Sequence, residues 1–553
     1  MVHRTWKQKL KEIFGDASPH FSIPRAPEER TGTEDDDQDF GQTVPSQGTP
    51  VTSKLEEGLR YVQQQFCMPA NKDLVVRRFR RGEFDMAVLY LDGMSSRKDV
   101  SDFILRPLMG TDFAGVHSAL HMETEIFNVL EVSNAQKQED LEEGIRGILM
   151  GDSLLMVDGL SFVIVCETKG YDRRSVSTPQ TEGTIRGPQE AFTENLKTNT
   201  TLIRRIIKNP RLVTEYTSIG DVNRSPCAIL YIDGLCNPAI VEEVRRRVSS
   251  LKGDYIFGSG MLEQFIEDSP YSIFPTILST ERPDRTASNL NEGRVAVIAD
   301  GTPFAIIMPI TFLSMLTTTE DTALRWQYGT LMRFVRVLAL LITVFLPALY
   351  IGLNNFHKEM IPTDLLIAIV QARENVPFPS LVEVILMILS FELIREAGTR
   401  VPGLIGNTIG IVGALILGQA SVEASLVSPV LIIIIAFTGI GSFALPDFAL
   451  SFGVRIVRMG LLLCAACAGF VGIALGTVVV LSLMVRQQSF GVPVMASFDA
   501  PRTGDNHDLI FRKPVWRQEL RDRELHTLHR RNQPIISRRW TVQRENSDTQ
   551  EGK

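Results

Sequence analysis

The sequence predicts an α/β soluble N-terminal region of two tandem repeated subdomains, followed by an α-helical multi-pass membrane domain. Two observations support this prediction: charge is unevenly distributed, and two sequence matches recur at nearly one spacing. The 553 residues carry a formal net charge of −7, and 22% of them are charged, which is close to the average for soluble proteins. Residues 331–485, however, hold only eight basic and eight acidic side chains in 155 positions. Such depletion is expected of a segment embedded in lipid.

Composition excludes several classes of protein. Residues 1–330 carry a net charge of −11, so phosphate would repel the large soluble part, and we expect no nucleic-acid partner. Six cysteines in 553 residues are too few for a disulfide framework. The chain also lacks the phosphate-loop, dinucleotide-binding, nucleophile-elbow and zinc-protease motifs. We therefore expect neither an enzyme nor a bound cofactor or metal.

The soluble region contains an internal repeat. The segment AVLYLDGM at 87–94 matches AILYIDGL at 228–235, an offset of 141 residues. A second match pairs GDSLLMVDGLSFVIV at 151–165 with EGRVAVIADGTPFAII at 292–307, and their Asp-Gly pairs lie 142 residues apart. Self-similarity at a fixed offset indicates repeated structural units.

The matches predict one subdomain at 54–180 and a second at 181–325, which includes a connecting arm. Residues 1–53, rich in Pro, Gly, Ser and Asp, should be a disordered tail. Each unit begins with an apolar strand, continues with a helical pattern and closes with two apolar runs around Asp-Gly, which is a hairpin signal. We interpret the Asp-Gly pairs as turns; a metal or phosphate role would need converging ligands.

The connecting arm is rich in arginine. Arg186, Gly187 and Pro188 interrupt regular structure, and Arg204 and Arg205 follow on a helical pattern. These residues are candidates for a docking surface that couples a signal between the subdomains or to a partner. The alternative is an ordered linker followed by a solvated helix face.

The membrane domain, 326–486, should contain four or five spans, since each needs ~20 apolar residues. A short apolar run at 361–379 should be re-entrant or interfacial, because Pro377 and Pro379 break a helix there. Arg333 and Arg336 flank the first span and place the N-terminal region on the cytoplasmic side. The basic tail, 487–553, should be mobile near anionic lipid. The candidate spans are about 334–353, 380–398, 404–421, 427–446 and 459–485.

Ionisable side chains inside such a domain are functional candidates. They are either pore groups or an interfacial network of ion pairs, and they comprise Glu383, Glu392, Arg395, Glu396, Arg400 and Glu423. A stripe of small residues on one helix face indicates close helix packing or a pore wall. The stripe comprises Gly406, Gly410, Ala414 and Gly418.

Several long motifs between residues 54 and 490 resemble one known family. They are ETKGYDRRSV (167–176), IRGPQEAFTENLKTNTTLIRRIIKN (185–209), LYIDG (230–234), EGRVAVIADGTPFAIIMP (292–309), VPFPSLVEVILMILSFELIREAGTRVP (376–402) and IGNTIGIVGALILGQASVEASLVSPV (405–430). These motifs are similar to those of the A subunit of bacterial spore germinant receptors, the GerA family.

The resemblance implies a multi-pass protein of the spore inner membrane, which is the cell membrane of the dormant spore. It would act with a permease-like B subunit, which senses the nutrient, and a lipoprotein C subunit. It would form a homo-oligomer whose membrane part is a nutrient-gated cation channel. Within residues 380–446, Glu392, Glu396 and Glu423 are then candidate cation-attracting groups. Two alternatives stay open: a sporulation paralogue associated with the dipicolinate channel, and a non-conducting signalling scaffold.

Overall fold

The computed structural model describes residues 48–111, 119–170, 178–179, 182–400, 418–498, 511–518 and 520–533. The predicted tail up to residue 47 and most of the predicted span 404–421, with Gly406, Gly410 and Ala414, lie outside the described residues.

The first subdomain is a five-stranded antiparallel sheet covered by helices on both faces. Its strand order is β1-β2-β4-β5-β3. The strands are β1 (Leu74–Arg81), β2 (Phe84–Leu91), β3 (Ala135–Gln138), β4 (Ser153–Val157) and β5 (Val163–Cys166); the helices are α1 (Leu55–Gln65), α2 (Arg97–Asp99), α3 (Arg106–Gly110), α4 (Ala119–Val129) and α5 (Leu141–Met150), with a π-helical turn, Val100–Leu105, between α2 and α3.

Burial of both sheet faces explains the continuous apolar runs in the sequence. Along β2, Ala87 and Leu89 pack with α1 and α5, whereas Met86 and Val88 pack with the helical segments between 97 and 130. Alternate residues of a strand point to opposite faces. A strand covered on both faces therefore has no polar side, as in β2.

The second subdomain repeats this topology. Its strand order is β6-β7-β9-β10-β8, the same arrangement shifted by five strands. The strands are β6 (Leu212–Ile219), β7 (Ser225–Ile232), β8 (Leu278–Thr280), β9 (Val295–Ala299) and β10 (Ala305–Met308); the helices are α6 (Leu196–Ile206), α7 (Pro238–Ser249), α8 (Gly258–Ile266) and α9 (Pro283–Asn291). The matched segments lie on β2 and β7, which are both second in their sheets, so the α/β prediction for this region is confirmed.

The Asp-Gly pairs of the second match are turns with a further role as helix caps. Gly159 and Gly301 have φ of +87° and +85°. The preceding Asp158 accepts a hydrogen bond from the first amide of α1 at 2.9 Å, and Asp300 accepts one from the first amide of α6 at 2.9 Å. Each hairpin thus caps the helix that opens its own subdomain.

Ordered structure begins before the predicted boundary at residue 54. Val51 is buried, and its amide donates to the Glu139 carbonyl at 3.1 Å. Pro50 forms an isolated bridge with Asp140. The last residues of the predicted tail therefore belong to the first subdomain, because Val51 supplies an apolar contact that the polar composition around it conceals.

A helical region, residues 326–486, follows two short junction helices. The junction helices are α10 (Phe312–Leu316) and α11 (Thr319–Ala323); the helical region contains α12 (Trp326–Asn355), α13 (Thr363–Arg373), α14 (Ser380–Arg400), α15 (Pro429–Phe443) and α16 (Phe448–Arg486). By length and composition, α12 and α16 could each cross a membrane. The core on the α6–α9 face of the second subdomain continues through the junction into the helical region.

The predicted span 459–485 is wrong, because α16 folds back on itself. Ala468 and Gly469 leave helical geometry, with φ of −140° and 57°. A Cβ at Gly476 would lie 2.7 Å from Cδ2 of Leu461, whereas a straight helix would separate these residues by about 22 Å. The arms 448–467 and 470–486 are therefore antiparallel. No proline or charge marks this reversal, so the apolar run resembles one span.

Both ends of the helical region meet the second subdomain; we call this the proximal end and the opposite end distal. At the distal end, Asn354 of α12 donates to Ser380, the first residue of α14, at 2.8 Å. At the proximal end, the α16 residue Gly453 packs against the main chain of Ile273. The second arm of α16 returns to the same end, so the segment after Arg486 starts beside the soluble region.

The predicted mobility of the C-terminal tail is wrong for residues 487–498. A short hairpin, β11 (Gln488–Ser489) and β12 (Val492–Pro493), docks on the second subdomain. Phe490 between them is fully buried in the core under α7 and α8, with the Arg247 guanidinium 4.2 Å from its ring centroid. The basic composition of the tail concealed this apolar anchor.

Residues 511–518 and 520–533 also pack on the protein. Arg512 is buried and donates to the Leu324 carbonyl at 3.0 Å. Leu525 is buried, and the Leu528 amide donates to the Leu235 carbonyl at 3.1 Å. This part of the tail therefore covers the junction between the second subdomain and α12.

Candidate functional site

The structure brings two of the predicted charges, Glu392 and Arg395, together near the proximal end of the helical region. Glu392 of α14 accepts hydrogen bonds from Arg458 at 3.0 Å and from Arg455 at 3.2 Å, both on the first arm of α16. Arg395, one turn along α14, lies 3.9 Å from the same carboxylate. This charge cluster ties α14 to α16 through one acid and three guanidinium groups.

Aromatic and hydroxyl groups complete the cluster. Arg395 donates to the Ser442 hydroxyl of α15 and lies 4.2 Å from the ring centroid of Phe443. Arg455 lies 4.4 Å from the ring centroid of Phe452. Such cation–π contacts partly replace the hydration that a cation loses on burial. Three helices thus meet at Arg395 and its neighbours.

The arrangement bears on the role expected for Glu392. A carboxylate that binds two arginines is not available to attract a free cation, and the positive groups around it outnumber it. For Glu392 the geometry favours the alternative of an ion-pair network. Glu396 lies on the same helix with interactions of its own, and the side chain of Arg400 lies outside the description.

The remaining predicted charges lie elsewhere. Glu383 is fully buried, binds Arg373 of α13 at 2.9 Å and accepts from the Ser428 amide at 3.3 Å. It therefore holds the short helix before Pro377 and Pro379 against the start of α15. Glu423 is exposed and accepts from Gln419 at 3.2 Å.

Of the small-residue stripe, only Gly418 lies within the described residues. It is buried, and a Cβ there would lie 3.9 Å from Ile432. This distance is an ordinary van der Waals contact, so helix packing and a pore wall both stay predictions.

A second candidate site lies between the two soluble subdomains. Arg204 of α6 binds Asp73 of the first subdomain at 2.7 Å, and both side chains are almost completely buried, at 3% and 6% exposed. Tyr216 of β6 donates to the other oxygen of Asp73 at 3.0 Å. Burial and the nearby carboxylate of Asp73 raise the pKa of Tyr216, so its hydroxyl remains a donor.

The other arm residues have weaker contacts. Arg205 lies 3.4 Å from Glu190 and is partly exposed, and Arg186 is exposed. Gly187 adopts φ of +141°, and the Pro188 carbonyl accepts from Arg282 at 2.9 Å. The arm is therefore positioned by Arg282, which the sequence analysis did not identify.

A third group of charges lies at the junction with α12. Asp321 of α11 is buried and binds Arg336 through both oxygens, at 2.7 and 2.9 Å. Arg333 lies 3.6 Å from the same carboxylate, and Arg512 donates to the Asp321 carbonyl. The arginines that predict membrane orientation thus also fix the angle at which α12 leaves the soluble region.

Sequence reasoning missed Asp73, Asp321 and Phe490. Asp321 has a local signal, because a threonine three residues before it matches a capping box, and the box is present. Asp73 and Phe490 have no comparable signal, since their partners are more than 100 residues away. Among the described residues, no group of three or more His, Cys, Asp and Glu side chains could hold a metal ion.

Comparison with known proteins identifies the relatives of the chain. The family model described as "Bacillus/Clostridium GerA spore germination protein" matches residues 60–524. Spore germination protein KA of Bacillus subtilis (strain 168) is 37% identical over 455 residues, 82% of this chain and 83% of that protein. Spore germination protein B1 of the same organism is 37% identical over 467 residues, 84% of this chain and 96% of that protein.

One more relative and one crystal structure are also similar to the chain. Spore germination protein GerLA of Bacillus cereus is 35% identical over 445 residues, 80% of this chain and 90% of that protein. The crystal structure of the N-terminal domain of the A subunit of the Bacillus megaterium spore germinant receptor GerK3 has a TM-score of 0.37 and 32% identity, and the match covers 48% of this chain and 98% of that domain. From the match over residues 60–524 and these curated relatives, the chain belongs to the GerA family of spore germination proteins.

Proposed function

We propose that this protein is the A subunit of a nutrient germinant receptor and forms a nutrient-gated cation channel as a homo-oligomer in the spore inner membrane. It would act with a permease-like B subunit and a lipoprotein C subunit. The observation that carries the channel proposal is the charge cluster, which ties α14 to α16 inside an otherwise apolar region.

The course of the helices supports a multi-pass arrangement with an even number of crossings. The segment just before the helical region is held on the second subdomain by Arg285 of α9, which donates to the Thr317 carbonyl at 3.2 Å, and Phe490 just after it is buried in the core of that subdomain. Arg333 and Arg336 lie at this proximal end, and positive charge favours the cytoplasm. The soluble region would therefore be cytoplasmic.

Exposed apolar side chains support a membrane or subunit environment for the helical region. On α15, Phe437, Ile440 and Phe443 are 56%, 67% and 67% exposed. On α16, Val471 and Leu475 are 62% and 63% exposed. Contiguous apolar surface of this kind is rare on monomeric soluble proteins. Lipid and neighbouring subunits would cover it.

The charge cluster suggests how such a channel would be held closed. Separating α14 from α16 would break the contacts of Glu392 with Arg455 and Arg458. Losing these contacts costs free energy unless water replaces them, because the side chain of Glu392 is only 28% exposed and that of Arg458 only 4%. Nutrient binding to the receptor must favour the separated state by a comparable amount for opening to follow.

Spores test this proposal directly. A strain lacking the native gene would be complemented with wild type, Glu392→Gln or the control Glu143→Gln, which changes an exposed acid of the first subdomain, and nutrient-triggered release of monovalent cations would be recorded. We expect Glu392→Gln to release cations at a lower nutrient threshold or without nutrient, and the control to match wild type. Unchanged release in Glu392→Gln, with normal protein levels, would contradict the gating role.

The non-conducting scaffold is a second candidate, because a cluster in which Glu392 stays bound to its arginines would tie α14 to α16 permanently. Purified receptor in liposomes separates the two functions. Nutrient-dependent cation flux supports the channel. If the purified receptor shows no flux, although its gene restores germination to spores that lack it, the scaffold is supported.

The side of the membrane has its own test. Protease added outside intact protoplasts should leave the N-terminal region uncut if that region is cytoplasmic.

A further inference from the structure

A polar cavity of about 210 Å³ lies where three parts of the molecule meet. The second subdomain, the junction helices with the start of α12, and the C-terminal tail each supply part of its wall. Its volume is many times the ~10–15 Å³ that one water needs. The cavity is therefore large enough for a small polar molecule.

Four arginines from four different elements line this cavity. Arg285 comes from α9, Arg294 precedes β9, Arg333 belongs to α12, and Arg521 lies in the tail. Serine and threonine side chains of the segment 311–322 supply hydroxyl groups around them. Guanidinium groups and hydroxyls are the donors that proteins use to bind phosphate.

The two acids that line the cavity are more exposed than three of its arginines, and Glu292 also faces Arg294 and Arg521. The side chains of Glu292 and Asp522 are 44% and 40% exposed. Those of Arg285, Arg294 and Arg333 are 6%, 2% and 10% exposed. The least exposed charges of the wall are therefore basic.

These arginines are loosely paired. Arg285 lies 3.3 Å from Glu182, and Arg294 lies 3.3 Å from Glu292 and 3.6 Å from Asp522. Charge-assisted pairs usually close to about 2.7–2.9 Å. Elsewhere in the protein such distances occur, as in the 2.7 Å pair of Arg204 and Asp73. Arg285 also donates to the Thr317 carbonyl at 3.2 Å and Arg294 to the Pro309 carbonyl at 3.3 Å, so the spare donor capacity lies mainly on Arg294.

Two donors support a bound anion most directly. The buried Nε of Arg294 has no hydrogen-bond partner among the described residues, and an unsatisfied buried donor is costly. Arg521 donates, within the part of the chain that the structure describes, to main-chain carbonyls only: Asn291 at 2.8 Å, His529 at 3.1 Å, and Arg531. A bound anion would accept hydrogen bonds from both side chains.

We propose that this cavity binds a phosphate group, held by Arg294 and Arg521 and enclosed by the C-terminal tail. The phosphate belongs either to a small soluble anion or to the headgroup of an anionic lipid, since Arg333 lies in the second turn of the first long apolar helix. The proposal does not depend on channel activity.

The test measures binding of inorganic phosphate to the full-length protein in detergent by calorimetry, at an ionic strength matched with chloride. Wild type should bind phosphate. Arg521→Gln should raise the dissociation constant at least about tenfold, the loss expected for a hydrogen bond to a charged group. The control Arg245→Gln, which changes an exposed arginine paired with Glu215 at 2.7 Å, should bind as wild type does.

A second variant guards against misfolding of the first. Asp522→Asn removes an exposed acid, so it should leave the fold intact and tighten phosphate binding. Weaker phosphate binding by Arg521→Gln together with tighter binding by Asp522→Asn supports the site. If Arg521→Gln fails to fold, tighter binding by Asp522→Asn alone supports it. No phosphate binding beyond that of chloride, or equal binding by wild type and Asp522→Asn, overturns the proposal.

Nanodiscs distinguish the two sources of phosphate. If discs of phosphatidylglycerol abolish binding of inorganic phosphate whereas discs of phosphatidylcholine preserve it, the site takes a lipid headgroup. If both preserve binding, the site takes a soluble anion. Both results support the site, because both require the phosphate binding that the calorimetry measures.

Discussion

Replacing Arg204 by Gln should loosen the contact between the two soluble subdomains. The substitution leaves the Asp73 carboxylate buried without its cation, although the Tyr216 hydroxyl still donates to it. Removing one partner of a buried ion pair costs about 3–5 kcal/mol, because the other charge stays desolvated. Since each 1.4 kcal/mol is a factor of ten, opening of this interface should become roughly a hundredfold to several thousandfold more frequent.

Hydrogen exchange of the full-length protein in detergent, read by mass spectrometry, measures this opening. The reporter is a peptide covering residues 66–76, whose Lys72 amide donates across the interface to the Thr214 carbonyl at 3.1 Å. Its exchange should rise by the stated factor in Arg204→Gln. The control Arg78→Gln removes an exposed pair with Glu56, which is worth at most about 1 kcal/mol.

A double substitution separates the lost pair from general damage. Asp73→Asn combined with Arg204→Gln leaves no buried charge, so it should restore much of the protection lost in the single variant. Exchange in Arg204→Gln within about threefold of wild type would refute the reasoning. The reasoning would also be refuted if the double variant exchanged faster than the added free-energy changes of the two single variants predict.

Three further predictions follow from single sites. Phe490→Ala should weaken docking of the C-terminal segment by about 3–5 kcal/mol, because the ring is fully buried. Faster tryptic cleavage of the tail measures this loss. The control Phe511→Ala changes a ring that is 78% exposed and should not alter cleavage. Gly469→Ala should lower the melting temperature in detergent, because φ is +57° and a Cβ would lie 2.8 Å from the Phe356 side chain. In the control Gly460→Ala the added Cβ has open space around it, so the melting temperature should not fall. Burial and neighbouring carboxylates raise the pKa of Glu263 from 4.5 to about 7, so its stabilising protonated form is lost as pH rises through 7. Melting temperature should therefore fall between about pH 5 and 7 and level off above that range, and Glu263→Gln should reduce the fall; an unaltered pH profile would contradict this role.

The soluble fold was predictable because its signals are local and occur twice. Strands covered on both faces appear as apolar runs, and the turn after each run uses Asp-Gly for a conformational reason. The same logic located the matched strands β2 and β7. It could not place Val51, whose neighbours in sequence are polar and whose contact lies about 90 residues away.

The helical region was harder to predict, because hydropathy measures composition and not direction. The reversal at Gly469 occurs inside an uninterrupted apolar run, so the run was assigned to one span. The partners of the predicted charges could not be read from the sequence. Glu392 binds arginines on α16, more than 60 residues away, and the sequence analysis considered only its neighbours on α14.

The contacts among the described residues define a route by which the first subdomain can influence the helical region. Its buried ion pair is made with Arg204, which belongs to α6 of the second subdomain. The inner face of α6 shares one hydrophobic core with α10 and with the middle of α12. Packed cores tend to switch between discrete arrangements and do not deform continuously. A shift of α6 would therefore be transmitted to α12 through this core, while Arg285 holds the segment before α12, and Phe490 the segment after α16, on the second subdomain. If opening separates α14 from α16 as proposed, the second subdomain is the element that a signal from the soluble region must rearrange.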